Sequence, residues 1–333
     1  MTTLIDRPAN RAVAQSTTEP AERLRATMAA SRVAFTWFGV RKSLTAEQKA
    51  VAADSFDAEA PFLSAGKKLL DTRHAAFRAV TAVRTAITEF WRSQSLPFPE
   101  PGIRLIRLDD VDAFDRRLVD FRADLDDAVA NLDRHFGELK EAAADRLGTL
   151  FNPADYPPSL IGLFGVAWDF PNCEPPDYLV GLSPELYEQE RARVQARFEQ
   201  AVELAERAFL DEFGRLVGHL CERLEGTDAD GSPRVFRDSA VDNLAAFFER
   251  FRTLNVRSNT ELDDLVDQAR RAVRGVSAQD LREGAGLRSL VAGRLSEVRS
   301  SLDALMVDRP RRRILRGPAM TTATTTGGAR WTS

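Results

Sequence analysis

Between Asp109 and Leu150 the apolar residues Val111, Phe114, Leu118, Phe121, Leu125, Val129, Leu132, Phe136, Leu139, Ala143, Leu147 and Leu150 recur. Their mean step of about 3.5 residues is that of one apolar seam on a helix packed nearly parallel to its neighbours. The spacing predicts a long helix in a bundle or coiled coil. Asp109, Asp110 and Asp112 crowd its first turn, where the helix N-terminus favours negative charge.

A second long helix is expected from Ser183-Pro184-Glu185, with Ser as N-cap and Pro at the first helical position. Its face carries Val194, Phe198, Ala201, Ala205, Phe209, Phe213, Leu216, Leu220 and Leu224, and it stops at Gly226. If continuous, each of these two helices is roughly 60 Å long at about 1.5 Å per residue, which makes the molecule elongated. Pro61 to Gln94 reads as another long helix, with Leu63, Leu70, Phe77, Val80, Ile87 and Trp91 on one face, ended by the prolines of Leu96–Gly102. Thr45–Gln48 offers a capping box for a short helix. Further helices fit Asp238–Leu254, Asn259–Arg274, Ala278–Arg282 and Leu287–Val307.

Strands are expected near Arg32–Val40, Ile103–Leu108 and Phe164–Phe170, where β-branched and aromatic residues run between turn signals. They form a small sheet capping one end of the helices, within a Pro- and aromatic-rich cover over Asn152–Pro184. The expected fold is mainly α, of α+β type: an elongated long-helix bundle or coiled coil with a small capping sheet. Residues 1–30 read as a disordered N-terminus, 31–226 as the bundle with its sheet, 227–308 as a C-terminal helical region and 309–333 as a basic, disordered tail.

Composition removes several classes of function. With 333 residues of which 44% are hydrophobic, the chain can bury a core. Its net charge of −4 gives no global field to recruit nucleic acid or a membrane. No window approaches the roughly 20 apolar residues that span a bilayer, and Met1–Pro20 lacks the apolar stretch of a signal peptide. A cytoplasmic setting is expected, with Cys173 and Cys221 reduced.

Catalytic and metal motifs fail one by one. His74, His135 and His219 stand apart in sequence, neither cysteine lies in a CxxC pair, and Asp71-Thr-Arg-His74 has no twin to complete a di-iron site. Around Gly66-Lys67 a phosphate loop lacks its first glycine and its hydroxyl, since Pro61 and Lys68 stand there, so Lys67 and Lys68 read as solvated residues near a helix start. Asp228-Ala-Asp230-Gly231 puts Arg237 where a calcium loop needs its bidentate Glu. No catalytic residue, cofactor or metal is expected.

Two features remain. Arg309, Arg311, Arg312, Arg313 and Arg316 pack five arginines into eight residues, dense enough to hold phosphates. Phe247, Phe248 and Phe251, with Arg250 and Arg252 alongside, follow Val235–Ser239; aromatics interleaved with arginine can stack bases, while their helical spacing favours a core.

The aromatic run Phe35–Phe38, Leu96-Pro-Phe-Pro-Glu-Pro-Gly-Ile-Arg-Leu105, Arg146-Leu-Gly-Thr-Leu-Phe-Asn-Pro-Ala-Asp-Tyr-Pro158, and Phe236-Arg-Asp-Ser239 leading to Leu254-Asn-Val256 together resemble a helical family of bacteriophage and bacterial genomes, domain of unknown function 3150. The likeness covers roughly Arg32 to Val307. It implies a shared fold and brings no catalytic residues; members look similar to genes that travel with ATPase and recombination functions on mobile elements. The leading expectation is a non-enzymatic assembly or adaptor protein that self-associates or binds a protein partner through its helices. The alternative is a nucleic-acid-associated factor using the arginine tail.

Overall fold

The structure is a computed structural model that describes residues 19–226 and 238–307. The described residues are mainly helical with a small antiparallel sheet. They form two compact units, one from the described parts of Met1–Phe213 and Asp242–Asp263, the other from those of Gly214–Val241 and Asp264–Ser333.

The first unit opens with helix α1 (Pro20–Thr27) and runs directly into strand β1 (Met28–Thr36), where the sequence suggests disorder up to residue 30. Pro20 starts the helix without an amide that needs a partner. Ala21, Leu24, Met28 and Ala30 are buried, so tertiary burial orders residues that show no periodicity of their own. There follow β2 (Arg41–Ser43), α2 (Ala46–Asp54), β3 (Gly66–Lys68), α3 (Ala75–Ser93), β4 (Ser95–Pro97), β5 (Ile103–Arg107), α4 (Val111–Arg134), α5 (Phe136–Leu147), β6 (Gly165–Asp169), the short α6 (Tyr178–Leu182) and α7 (Pro184–Glu225). The helices α8 (Ser239–Leu254), α9 (Thr260–Val273), α10 (Ala278–Glu283) and α11 (Ala285–Val307) complete the described chain.

The larger sheet has the order β4-β5-β1-β6, with every pairing antiparallel. Three of its strands lie where strands are expected, with β1 shifted toward the N-terminus. The fourth, β4, is hidden in the sequence by Pro97, which an edge strand tolerates because it owes no ladder bond on its outer side.

Two of the expected long helices are interrupted. The stretch Pro61–Gln94 is helical only from Ala75, where His74 caps α3 by accepting from the Ala76 amide at 3.3 Å. Leu63 and Leu70 match the helical period by position alone, since Gly66–Lys68 between them is strand. The seam from Val111 changes helix at His135 (φ −93°, ψ 0°), yet Phe136, Leu139 and Ala143 stay buried beyond it. By contrast α7 runs unbroken for 42 residues, about 63 Å of helix.

The core of the first unit joins α3, α4, α5 and the sheet. Phe77, Val80 and Ile87 are buried together with Phe114, Leu118, Leu125 and Leu132 of the seam and with Val33, Ile106 and Val166 of the strands. Polar atoms entering it are matched: the Trp91 indole donates to Ser31 Oγ at 3.0 Å and that of Trp168 to Asp115 Oδ1 at 2.7 Å. Phe247 and Phe251 of α8 pack on Phe209 and Phe213 of α7, with Phe213 and Phe247 stacked at 5.1 Å. These aromatics are therefore core.

In the second unit Val217, Leu220 and Cys221 of α7 are buried, as are Leu295, Val298 and Leu302 of α11. Arg288 donates to the carbonyls of Leu224 (2.8 Å) and Arg223 (2.7 Å), satisfying acceptors that the end of α7 leaves open. No helix among the described residues is long and apolar enough to cross a membrane.

Candidate nucleic-acid interface

Beside the larger sheet, the first unit carries a two-stranded ribbon of β2 and β3. Arg41 pairs with Lys68, Lys42 with Lys67 and Ser43 with Gly66. Backbone bonds close both ends, Leu69 N to Val40 O at 2.8 Å and Leu44 N to Ala65 O at 3.1 Å. Gly66 is required by close approach: a Cβ there would lie 3.0 Å from the Lys42 carbonyl oxygen.

Side chains alternate across a strand, so Lys42 and Lys67 share one face while Arg41 and Lys68 share the other. The first pair is held by Asp155, at the end of a 3-10 turn that Asn152 caps. Lys42 Nζ lies 2.6 Å from Asp155 Oδ1 and Lys67 Nζ 2.6 Å from Oδ2, and Lys67 also donates to the Leu150 carbonyl at 2.6 Å. The side chains of Lys67 and Asp155 are 5% and 3% exposed, so this is a desolvated pair rather than a surface one. Hydrogen bonds from Lys42 and then Lys67 hold the Asp155 carboxyl below the usual carboxylate range. The reading of Lys67 as a solvated residue near a helix start is corrected by this burial.

The opposite pair, Arg41 and Lys68, is exposed and has no acidic partner among the described residues. Two like charges directly across a ladder destabilise it. Lys68 also lines a cleft of about 380 Å³ together with Asp71, Arg73 and Arg146. Asp71 accepts from the Arg73 amide (3.0 Å), from Arg73 Nε (3.2 Å) and from an Arg146 guanidinium nitrogen (3.0 Å). The Arg73 backbone bond leads these in pulling its carboxyl down to about 2. Ribbon and cleft thus carry six cations, Arg41, Lys42, Lys67, Lys68, Arg73 and Arg146, of which Lys42 and Lys67 pair with Asp155 and Arg73 and Arg146 with Asp71, in a chain whose net charge is −4.

The arm joining β2 to β3 contains α2 and the turn Ala60–Phe62, and it exposes Phe56 (78%) and Phe62 (85%). It also carries the acids Glu47, Asp54, Asp57 and Glu59 against one base, Lys49.

No protein-family model, no curated protein and no solved structure matches the chain.

Arg309, Arg311, Arg312, Arg313 and Arg316 lie outside the described residues, as do Val235–Arg237 and Asp228–Gly231. Sequence spacing kept His74 and His135 apart, but the fold brings their rings to 5.2 Å between centroids. Among the described residues no three His, Cys, Asp or Glu side chains group as a metal site. Cys221 is fully buried, its thiol pushed up to about 11 mainly by that burial. Arg41-Lys42 and Lys67-Lys68 are adjacent basic residues in the sequence, but only the ladder register shows that they face each other.

Proposed function

We propose that the chain is a nucleic-acid-associated protein that holds a phosphate backbone on the β2–β3 ribbon. The observation that carries this reading is the Arg41–Lys68 pair: two exposed cations set opposite each other with no acidic partner among the described residues, a repulsive arrangement that a bound polyanion relieves. Arg73, Arg146 and Lys68 extend the track into the adjoining cleft. Phe56 and Phe62 supply ring faces on which unpaired bases can stack. The arginine run from Arg309 to Arg316, outside the described residues, is a separate source of phosphate contacts by its composition, and the sequence resemblance to a phage and bacterial family is in keeping with a role on mobile elements.

Fluorescence anisotropy of labelled single-stranded and duplex DNA across a salt series tests this reading. Single-stranded DNA is expected to bind the full chain, with the doubly substituted Arg41→Ala/Lys68→Ala chain losing affinity and its salt slope shrinking by about 0.7 for each phosphate contact removed. Truncation after Asp308 is expected to weaken binding further. Equal affinity of the intact and double-variant chains at every salt concentration would overturn the assignment.

A second reading, assembly on a protein partner or a second copy, is favoured by another observation. Tyr178, Val180, Leu182 and Leu186 expose a run of large apolar side chains along α6 and the start of α7. The bundle or coiled coil suggested by the seam of α4 and the length of α7 belongs to this second reading. Light scattering that gives a single-chain mass at all concentrations would remove it.

A further inference from the structure

Within the first unit, α1, the junction of β5 with α4, and the loop between α8 and α9 enclose a cleft of about 730 Å³. That size matches small-molecule sites, which fall at roughly 300–1,000 Å³. Arg23, Arg107 and Arg257 line it against a single carboxylate, Asp109, while Leu24, Met28 and Val256 give it an apolar wall.

The loop is built to present Arg257. Arg257 has φ +50°, a left-handed conformation unfavourable for a residue with a Cβ. It is fixed there from several sides: the Arg257 amide donates to Asn255 Oδ1 at 2.9 Å, Asn255 Nδ2 donates to Asp263 Oδ1 at 2.6 Å, and Asn259 Oδ1 accepts from the Leu262 amide at 3.0 Å at the start of α9. Arg23 reaches over from α1 to donate to the carbonyls of Val256 (2.8 Å) and Arg257 (3.4 Å). The guanidinium of Arg257 itself is exposed with no partner among the described residues. Next to it, Ser258 Oγ is buried without a hydrogen-bond partner, a state that calls for an explanation in a native fold. Arg107, which also lines the cleft, is paired with Asp109 at 2.8 Å and with Asp110 at 3.6 Å; the Asp109 side chain is 80% exposed and so readily displaced.

We infer that this cleft is a binding site for a small phosphorylated organic molecule of nucleotide or sugar-phosphate size. Its phosphate sits between Arg257 and Arg107, whose planar forks suit phosphate oxygens, and its organic body lies on Leu24, Met28 and Val256. A bare phosphate leaves most of the cleft empty, and an uncharged ligand leaves the Arg257 guanidinium unanswered. The site shares no residue with the ribbon and does not depend on the nucleic-acid reading.

Isothermal titration calorimetry on the full chain tests it with adenosine 5′-monophosphate, ribose 5-phosphate, inorganic phosphate and adenosine. At least one of the two phosphorylated organic molecules is expected to bind with one site per chain, more tightly than inorganic phosphate and than adenosine. Arg257→Gly, which keeps the loop because glycine accepts positive φ, is expected to weaken that binding about tenfold or more, as one charge-assisted contact is lost. Asp109→Asn should tighten it by removing the nearer of the two carboxylates, Asp109 and Asp110, that compete for Arg107. Lys68→Glu, on the ribbon, should leave it unchanged, which separates failure here from failure of the nucleic-acid reading. Absence of binding by both organic phosphates, inorganic phosphate binding as tightly as either, or full affinity in Arg257→Gly would overturn the assignment.

Discussion

Arg41 and Lys68 stand directly opposite each other on a two-stranded ribbon, on the face away from the carboxylate that neutralises their neighbours. Replacing Lys68 with Glu turns this into an opposite-charge pair. The folded state should then gain about 0.2–1 kcal/mol while affinity for single-stranded DNA falls. Urea denaturation and anisotropy on the same sample check both directions. A variant that is less stable and binds as before contradicts this account of the pair.

Gly66→Ala probes the ribbon itself. The added methyl meets a backbone carbonyl at 3.0 Å, and neither strand can withdraw without breaking the ladder. A loss of about 1–3 kcal/mol is expected, as for other overpacked sites. Chemical denaturation measures it, and amide exchange should show protection lost at Leu44 and Leu69, whose amides close the two ends.

Asp155→Asn strands Lys67 in a desolvated position without the carboxylate that balances its charge, leaving it the Leu150 carbonyl. Because Lys42 is 55% exposed and keeps water close, a loss of about 3 kcal/mol is expected, the low end for a broken buried pair. Acid should act the same way. The Asp155 carboxyl is lower in the folded chain than in the unfolded one, so its contribution is complete above the unfolded value near 3.8 and disappears as pH falls through the lower folded value. Asp71, held at about 2, follows the same sign over the window from about 3.8 down to 2. Denaturation curves across pH 5 to 2 should therefore fall less steeply in Asp155→Asn than in the natural chain.

Arg257→Gly should raise stability while removing the proposed ligand contact. Relief of a left-handed conformation at a residue with a Cβ is worth about 1 kcal/mol, less whatever the unfolded chain gains in freedom from glycine. Thermal unfolding without ligand should show Arg257→Gly at or above the natural chain. A clear destabilisation means that the side chain, rather than the loop, holds this region together.

The helix α7 is legible because Ser183-Pro184 marks its start and no residue before Gly226 disturbs its stripe. The seam of α4 and α5 is legible as a stripe but not as two helices, since Phe136 and Leu139 keep the spacing across the break at His135. The start of α3 is misread because Leu63 and Leu70 fall on the right period while belonging to loop and ribbon. Strands as short as β2 and β3 carry no periodic signal, and their pairing spans an arm with a helix inside it. Asp155 lies far along the sequence from both lysines it binds, so nothing local marks it. The strain at Arg257 is a matter of backbone angle, on which residue type alone is silent.

One carboxylate answers for a lysine on each strand of the ribbon. Loss of charge at Asp155 is thus not a local event at either strand: one protonation weakens the hold on both lysines together, on a ribbon already under repulsion from its outer pair, and leaves the Lys67 bond to the Leu150 carbonyl to keep that face in place.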